Sequence, residues 1–426
     1  MSEFKRTALH DFVHMRGKSP PPIFVGRNDV ITDILTIAKK TKTNRVGIPG
    51  NTTVIQGAPG AGKSAVLNVI EHRAPEVGAR VVNISTSDLE KNLPKVLSMI
   101  AAVANYEMEY WNDLWARYGS KWLTNLWREM SNISFSYDSL DMLQQRIAPE
   151  TWKAPVIIAI DEAQRFTTGK NSDHAYFLQN IHDARTVCLP LTLVLAGLGD
   201  TPDVIRNLGL THGVAPYSLG CFTSAECAAL TTGWCAHFGI DIGDQRARID
   251  ALMASTDGWP RHVHWAQRAL AEALLQESVE GKANRLSDWD VVQTRSNALR
   301  RGYYQTQYSD VMVASRKLVG RVMLEVANAD IKGKGLTFGQ VVDAVEAYKE
   351  SAPGSEWRVP PGKNDTTYVT ELIHCGALQR RSMDPDDRTL ICPIPSFQSY
   401  IIQQGGFQVP GEPSPDDIGN SRSFES

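Results

Sequence analysis

Between Gly57 and Ser64 the chain reads Gly-Ala-Pro-Gly-Ala-Gly-Lys-Ser, three glycines, a lysine and a hydroxyl at spacings that suit one chemistry, the cradling of phosphate. Gly57, Gly60 and Gly62 let the backbone curl, so that successive N–H groups and the N-terminus of the following helix face an anion. The Lys63 ammonium reaches the β- and γ-phosphates of a nucleoside triphosphate, and the Ser64 hydroxyl coordinates magnesium. The phosphate-binding set is then Gly57, Ala58, Pro59, Gly60, Ala61, Gly62, Lys63, Ser64 and Ala65, with ATP and Mg²⁺ as the expected ligands. A second constellation follows the apolar run 155–160, which ends in Asp161-Glu162-Ala163-Gln164. Asp161 is placed to hold the metal through water, and Glu162 to polarise an attacking water.

Strands must bring these two constellations together. The phosphate loop follows a short β-type run at Val54 and Ile55 and precedes a helical run over 65–71. Residues 155–160 are apolar at every position, as suits a central parallel strand buried on both faces, and such a strand delivers its C-terminal residues to the sheet edge that carries the phosphate loop. Residues 80–84 and 189–196 read as further strands, and strands alternating with helices imply an α/β layer. From about Leu219 the pattern turns helical, over 223–238, 244–255, 261–276 and 287–304, with Thr223 and Glu226 spaced as a capping box. The stretch 310–404 carries three amphipathic helices, at 316–327, 337–350 and 365–375, then a hairpin from 377–381 to 388–392. Three helices and a hairpin make a winged helix.

The expected organisation is an N-terminal arm (1–22), closed by the Pro20-Pro21-Pro22 breaker, and a nucleotide-binding α/β domain (23–218). A helical lid (219–308), a winged-helix domain (309–404) and a disordered tail (405–426) complete it. Within the first domain a helix is expected over 29–40 and a polar connection over 41–51.

Composition bounds the rest. A formal net charge of −3 over 426 residues gives no overall attraction for nucleic acid. The six cysteines lie without Cys-x-x-Cys spacing, so neither a zinc knuckle nor a disulfide framework is expected. The N-terminus lacks the apolar core of a signal peptide and no run is long enough to cross a bilayer, so a cytoplasmic protein with no membrane partner is expected.

With both motifs placed, the chain resembles the AAA+ ATPases, within them the origin-recognition and initiator group together with its STAND relatives and the transposition-helper ATPases. The resemblance implies a parallel-sheet P-loop AAA+ core, an α-helical lid and a C-terminal winged helix, with slow ATP hydrolysis. Phe24-Val25-Gly26-Arg27 is similar to the element that opens this group, which implies base contact by Val25 and Gly26. Gly258-Trp259-Pro260-Arg261 is similar to the second sensor, which implies that Arg261 reaches the γ-phosphate; Pro260 suits a helix start and the guanidinium a phosphate. The first sensor departs from the family, because Gly197 stands where an Asn or Thr is expected, and Asp200 and Thr201 are the substitutes at hand. The trans arginine is also missing: the chain reads Leu208-Gly209-Leu210-Thr211-His212, with Arg206 on the preceding helix. Its absence favours a nucleotide-held switch over a processive motor.

Two patches bear on partners. Residues 104–130 hold Tyr106, Tyr110, Trp111, Trp115, Tyr118, Trp122 and Trp127, either core packing or the anchor of a protein partner. The winged helix is the candidate DNA-binding surface, yet residues 310–402 hold 11 Lys and Arg against 12 Asp and Glu, and helix 365–375 has no Lys or Arg. DNA or a protein could dock there, and nucleotide-dependent homo-oligomers are in keeping with the family.

Overall fold

The computed structural model describes residues 3–14, 21–44, 52–86, 154–166, 174, 178, 191–210, 213–241, 243–279, 286, 288–352, 354–382 and 387–408. The aromatic run 104–130, His212 and most of the tail lie outside them. The chain divides into two compact units: Arg16–Gln56 with Gly62–Leu219, and Met1–Met15 with Gly57–Ala61 and Gly220–Ser426.

The first of these is built on five parallel strands, β1 (Thr52–Gln56), β2 (Arg80–Ser85), β3 (Val156–Asp161), β4 (Leu191–Gly197) and β5 (Val214–Ser218), in the order β2-β3-β4-β1-β5. β1 and β4 are buried at every position and β3 at all but its last, as their apolar runs require. Val54, Ile158, Ile160, Leu193 and Leu195 share one core cluster, each contributing about 1.5–3 kcal/mol by leaving water. β5 was not foreseen. It contains Pro216, which has no N–H to give a ladder, and among the described residues it pairs with β1 alone, at the sheet edge, where proline is tolerated. Helix α2 (Asn28–Asn44) runs past Lys40 into the expected connection, and packs on β4 and on α3 (Lys63–Arg73). Helix α4 (Thr201–Asn207) follows β4.

The other unit is mostly helical. Within the expected arm lies α1 (Glu3–His14): Leu9, Phe12 and Val13 are buried, and the Phe12 ring meets Trp234, Phe238 and His264 at centroid distances of 5.2–5.5 Å. Those partners stand on α5 (Ser224–Phe238) and α7 (Pro260–Val279). α5 starts with the expected capping box of Thr223 and Glu226. α6 (Arg246–Ala254) and α8 (Trp289–Gln307) complete the lid.

The winged helix follows as α9 (Ser309–Ile331), α10 (Phe338–Ser351) and α11 (Asp365–His374), with an antiparallel sheet β6-β8-β7 of Leu336–Thr337, Thr389–Ile391 and Gln379–Arg380. α9 is longer than expected and kinked at Ser315, whose hydroxyl donates to the Arg358 carbonyl at 2.7 Å. An unforeseen α12 (Pro395–Gln404) crosses α9 where Gly320 meets Gly405; a Cβ on Gly320 would stand 2.9 Å from the Gly405 Cα. Among the described residues no helix is long and apolar enough to cross a membrane, no group of side chains could hold a metal through His, Cys, Asp and Glu alone, and no disulfide joins the cysteines.

Candidate functional site

In the sheet unit, parallel pairing aligns the ends of three strands: Gln56 lies beside Gly197, and Ile160 beside Leu195. The chain leaves β1 at Gln56 and enters α3 at Lys63, whose cap residue Gly62 has φ 98°. That left-handed turn excludes most residues with a Cβ. Among the described residues no side chain caps the start of α3, and an uncapped helix start suits an anion. Lys63 is only 8% exposed, and the Ser64 hydroxyl donates to Asp161 Oδ2 at 3.0 Å. Residues far apart in sequence, on α3 and at the end of β3, thus place a hydroxyl against a carboxylate. That donor set, beside a buried lysine and an open helix start, fits a magnesium-bound phosphate.

The segment after Asp161 is held tightly. Glu162 has φ 61°, a left-handed conformation rare for a residue with a side chain. The Thr86 hydroxyl spans the Asp161 and Glu162 carbonyls at 3.0 and 2.9 Å, and the Glu162 N–H donates to Asp161 Oδ1 at 2.9 Å. Gln164 Nε2 donates to the Glu162 carboxylate at 2.6 Å, while Gln164 Oε1 accepts from the Leu198 N–H at 3.1 Å. Arg165 pairs with the same carboxylate at 3.5 Å. Gln164 therefore clamps Glu162 to the end of β4.

That clamp accounts for the glycine in the first-sensor place. A Cβ on Gly197 would stand 2.1 Å from Thr201 Oγ1 and 2.7 Å from Gln164 Oε1. No side chain fits there, and the polar group at this edge comes from Gln164 instead. Asp200 and Thr201 are buried at the start of α4. Arg206, on the helix that precedes the missing trans arginine, pairs with Asp203 at 3.0 Å on its own helix. Val25 and Gly26 enter α2, with Gly26 at φ 72° and Arg27 at φ 60°. The same helix is tied to β5 by a hydrogen bond of 2.5 Å from the Tyr217 hydroxyl to Asp33; burial and then that carboxylate push the phenol up to about 12.

In the helical unit, the loop residues 57–61 meet the first turn of α7. The Arg261 N–H donates to the Gly60 carbonyl at 3.2 Å. The Arg261 guanidinium lies over the Tyr303 and Trp265 rings, 5.2 and 5.8 Å from their centroids. Next to it, His262 is 2% exposed and anchors a polar chain. Its Nδ1 lies 3.3 Å from the Thr256 carbonyl, its Nε2 2.8 Å from the Tyr304 hydroxyl, and that hydroxyl 2.9 Å from Ser396 Oγ. A carbonyl only accepts, so Nδ1 carries the proton and Tyr304 donates to Nε2. Burial, with the Arg300 and Arg261 charges, pushes His262 down to about 3. This chain ties α7 to α8 and α12.

Neither Gln164, Thr86 nor His262 was singled out from the sequence. Only Gln164 left a trace there, as the fourth residue of the Asp161–Gln164 run.

A parallel P-loop sheet of AAA+ type, followed by a helical lid and a winged helix, defines the class of fold. Among solved structures, the chain is similar to a Walker-type ATPase of Pyrococcus abyssi, at 14% identity and TM-score 0.56, over 92% of this chain and 99% of that one. It is also similar to the Aeropyrum pernix ORC2 protein in ADPNP–ADP complexes, at 13% identity and TM-score 0.54, over 97% of this chain and 98% of that one. The likeness at these identities is one of fold. No protein-family model and no curated protein matches the sequence.

Proposed function

We propose that the chain is an ATP-binding and hydrolysing molecular switch whose nucleotide state controls its lid and winged helix, and that it acts in association with DNA, as a helper in replication of a mobile element or in transposition. The observation that carries the nucleotide reading is the 3.0 Å hydrogen bond from Ser64 to Asp161 beside the buried Lys63. The shared fold with a protein described in ADPNP–ADP complexes supports it. In this reading the residues of Gly57–Ala65 bind the phosphates, Ser64 and Asp161 hold the metal, and Val25 and Gly26 touch the base. Magnesium, when bound, neutralises charge on the phosphate oxygens. Glu162, aimed by Gln164, orients the attacking water, and Arg261 leaves its aromatic shelf for the γ-phosphate.

A second reading, a STAND-like switch that recruits a protein without binding DNA, is favoured by the charges of the winged helix. Arg316, Lys317, Arg321, Lys349, Lys363 and Arg381 each sit in an ion pair within the unit. Cations already paired contribute less to a phosphate backbone.

ATP turnover by the purified chain, with and without duplex DNA at low and moderate salt, tests both readings against Glu162→Gln and Arg261→Ala. The DNA helper is expected to be stimulated by DNA, with the stimulation lost at higher salt and in both variants. Turnover indifferent to DNA, with ATP retained by Glu162→Gln, selects the protein-directed switch. No turnover and no nucleotide binding by the wild type would sink the ATPase reading.

A further inference from the structure

Pro59 and Gly60, neighbours at the tip of the phosphate loop, are held by two different parts of the helical unit. At Gly60 the backbone has φ 91°, and a Cβ there would lie 2.8 Å from the Arg261 Cβ and 3.0 Å from Trp259 Nε1. Trp259 is fully buried and its indole N–H has no hydrogen-bond partner among the described residues, a cost tolerated where packing dictates the position. Pro59 meets the winged helix. Gly376, which closes α11 with φ 77°, comes so near that a Cβ on it would stand 2.3 Å from Pro59 Cδ and 3.1 Å from Cγ. The turn bearing Gly376 is rigid: its N–H donates to the Ile373 carbonyl at 2.9 Å, the Leu378 N–H to the Leu372 carbonyl at 2.9 Å, and Ala377 and Leu378 are fully buried.

We propose that the Gly376 turn of the winged helix is a gate on the phosphate loop, seating Pro59 so that nucleotide leaves only when this contact opens. Gly376 and Pro59 are positioning residues here. The inference rests on the proposed nucleotide site. Close packing yields in discrete steps rather than by gradual deformation, so a loop tip locked on two sides cannot lift while both contacts persist. Pro59 is continuous in the chain with the backbone that cradles phosphate. The winged helix is therefore linked to nucleotide retention without touching the nucleotide.

The test is stopped-flow release of a fluorescent ADP from the full chain, wild type against Gly376→Asn. Asparagine tolerates the left-handed backbone better than other residues with a side chain, yet its Cβ cannot share space with the Pro59 ring. Overpacking of this kind is expected to speed release about tenfold and to lower the melting temperature without unfolding the chain at the assay temperature. Combining it with Pro59→Ala, which removes the ring carbon, is expected to change release by less than the two single effects together. A folded Gly376→Asn that releases ADP at the wild-type rate overturns the gate. Should that variant fail to fold, hydrogen exchange of the wild type decides: saturating ADP is expected to slow exchange at residues 375–378, and unchanged exchange there overturns the proposal. Failure of the wild type to bind the nucleotide at all removes the site reading itself, and the gate with it.

Discussion

Glu162 and Gln164 make one unit, because a carboxylate on a left-handed backbone needs an external partner to hold a single direction. Gly197 is where that unit is most exposed to mutation. In Gly197→Ala the new methyl meets Thr201 and both the amide and the side chain of Gln164, which is expected to destabilise the fold by about 1–3 kcal/mol. It is also expected to lower kcat more than nucleotide affinity, since Lys63 and Ser64 are untouched. Urea unfolding together with steady-state ATPase kinetics checks both effects, and an affinity loss that accounts for the whole change in rate would detach Gln164 from Glu162. The Gly57–Ser64 and Asp161–Glu162 runs stand out in the sequence because consecutive residues carry them, and the structure sets Ser64 3.0 Å from Asp161. The packing of Gln164 against Gly197 was not legible there, because it depends on how closely β3 and β4 lie at one edge.

Helix α7 carries both Arg261 and the buried His262, so the segment that holds the Gly60 carbonyl also holds the lid and α12 together through Tyr304 and Ser396. His262 has a folded pKa pushed down to about 3, against an unfolded value near 6.5. The unfolded chain binds more protons between those values, so this contribution to stability is complete above pH 6.5 and is lost as pH falls. From pH 6.5 to 5 the loss is expected to be roughly 2 kcal/mol. Thermal melts across that range should show the decline, and His262→Gln should flatten it. Helix α1 offers a second check. Phe12 is 5% exposed among three rings, so Phe12→Ala is expected to cost about 3–5 kcal/mol in chemical denaturation. An effect near zero would restore the reading of 1–22 as an arm. The sequence hid this helix because polar residues surround its short apolar stripe, and only α5 and α7 supply what that stripe buries against.

In the proposed reading residues 57–65 bind the phosphates of the nucleotide. Nucleotide binding is therefore expected to stabilise the whole chain, by about 2.7 kcal/mol at a hundred times Kd. Differential scanning measurements with ATP and magnesium should show this rise, and chelation of magnesium should remove much of it. Absence of a rise with ATP and magnesium would count against nucleotide binding by the folded chain. What the linear chain determined by itself was the glycine-bearing entry to α3, the buried strand that ends in Asp161, an α/β layer with helices and a winged helix beside it, and the Thr223 capping box. Each is a matter of spacing or periodicity within a few residues, where covalent geometry and burial pattern leave few options. Tertiary structure alone decided that Pro216 sits in an edge strand, that α1 belongs to the helical unit, that Gln164 aims Glu162, and that Gly376 seats Pro59. Those outcomes depend on close approach between residues remote in the chain, and a glycine that must be a glycine for want of space looks, in one dimension, like any other.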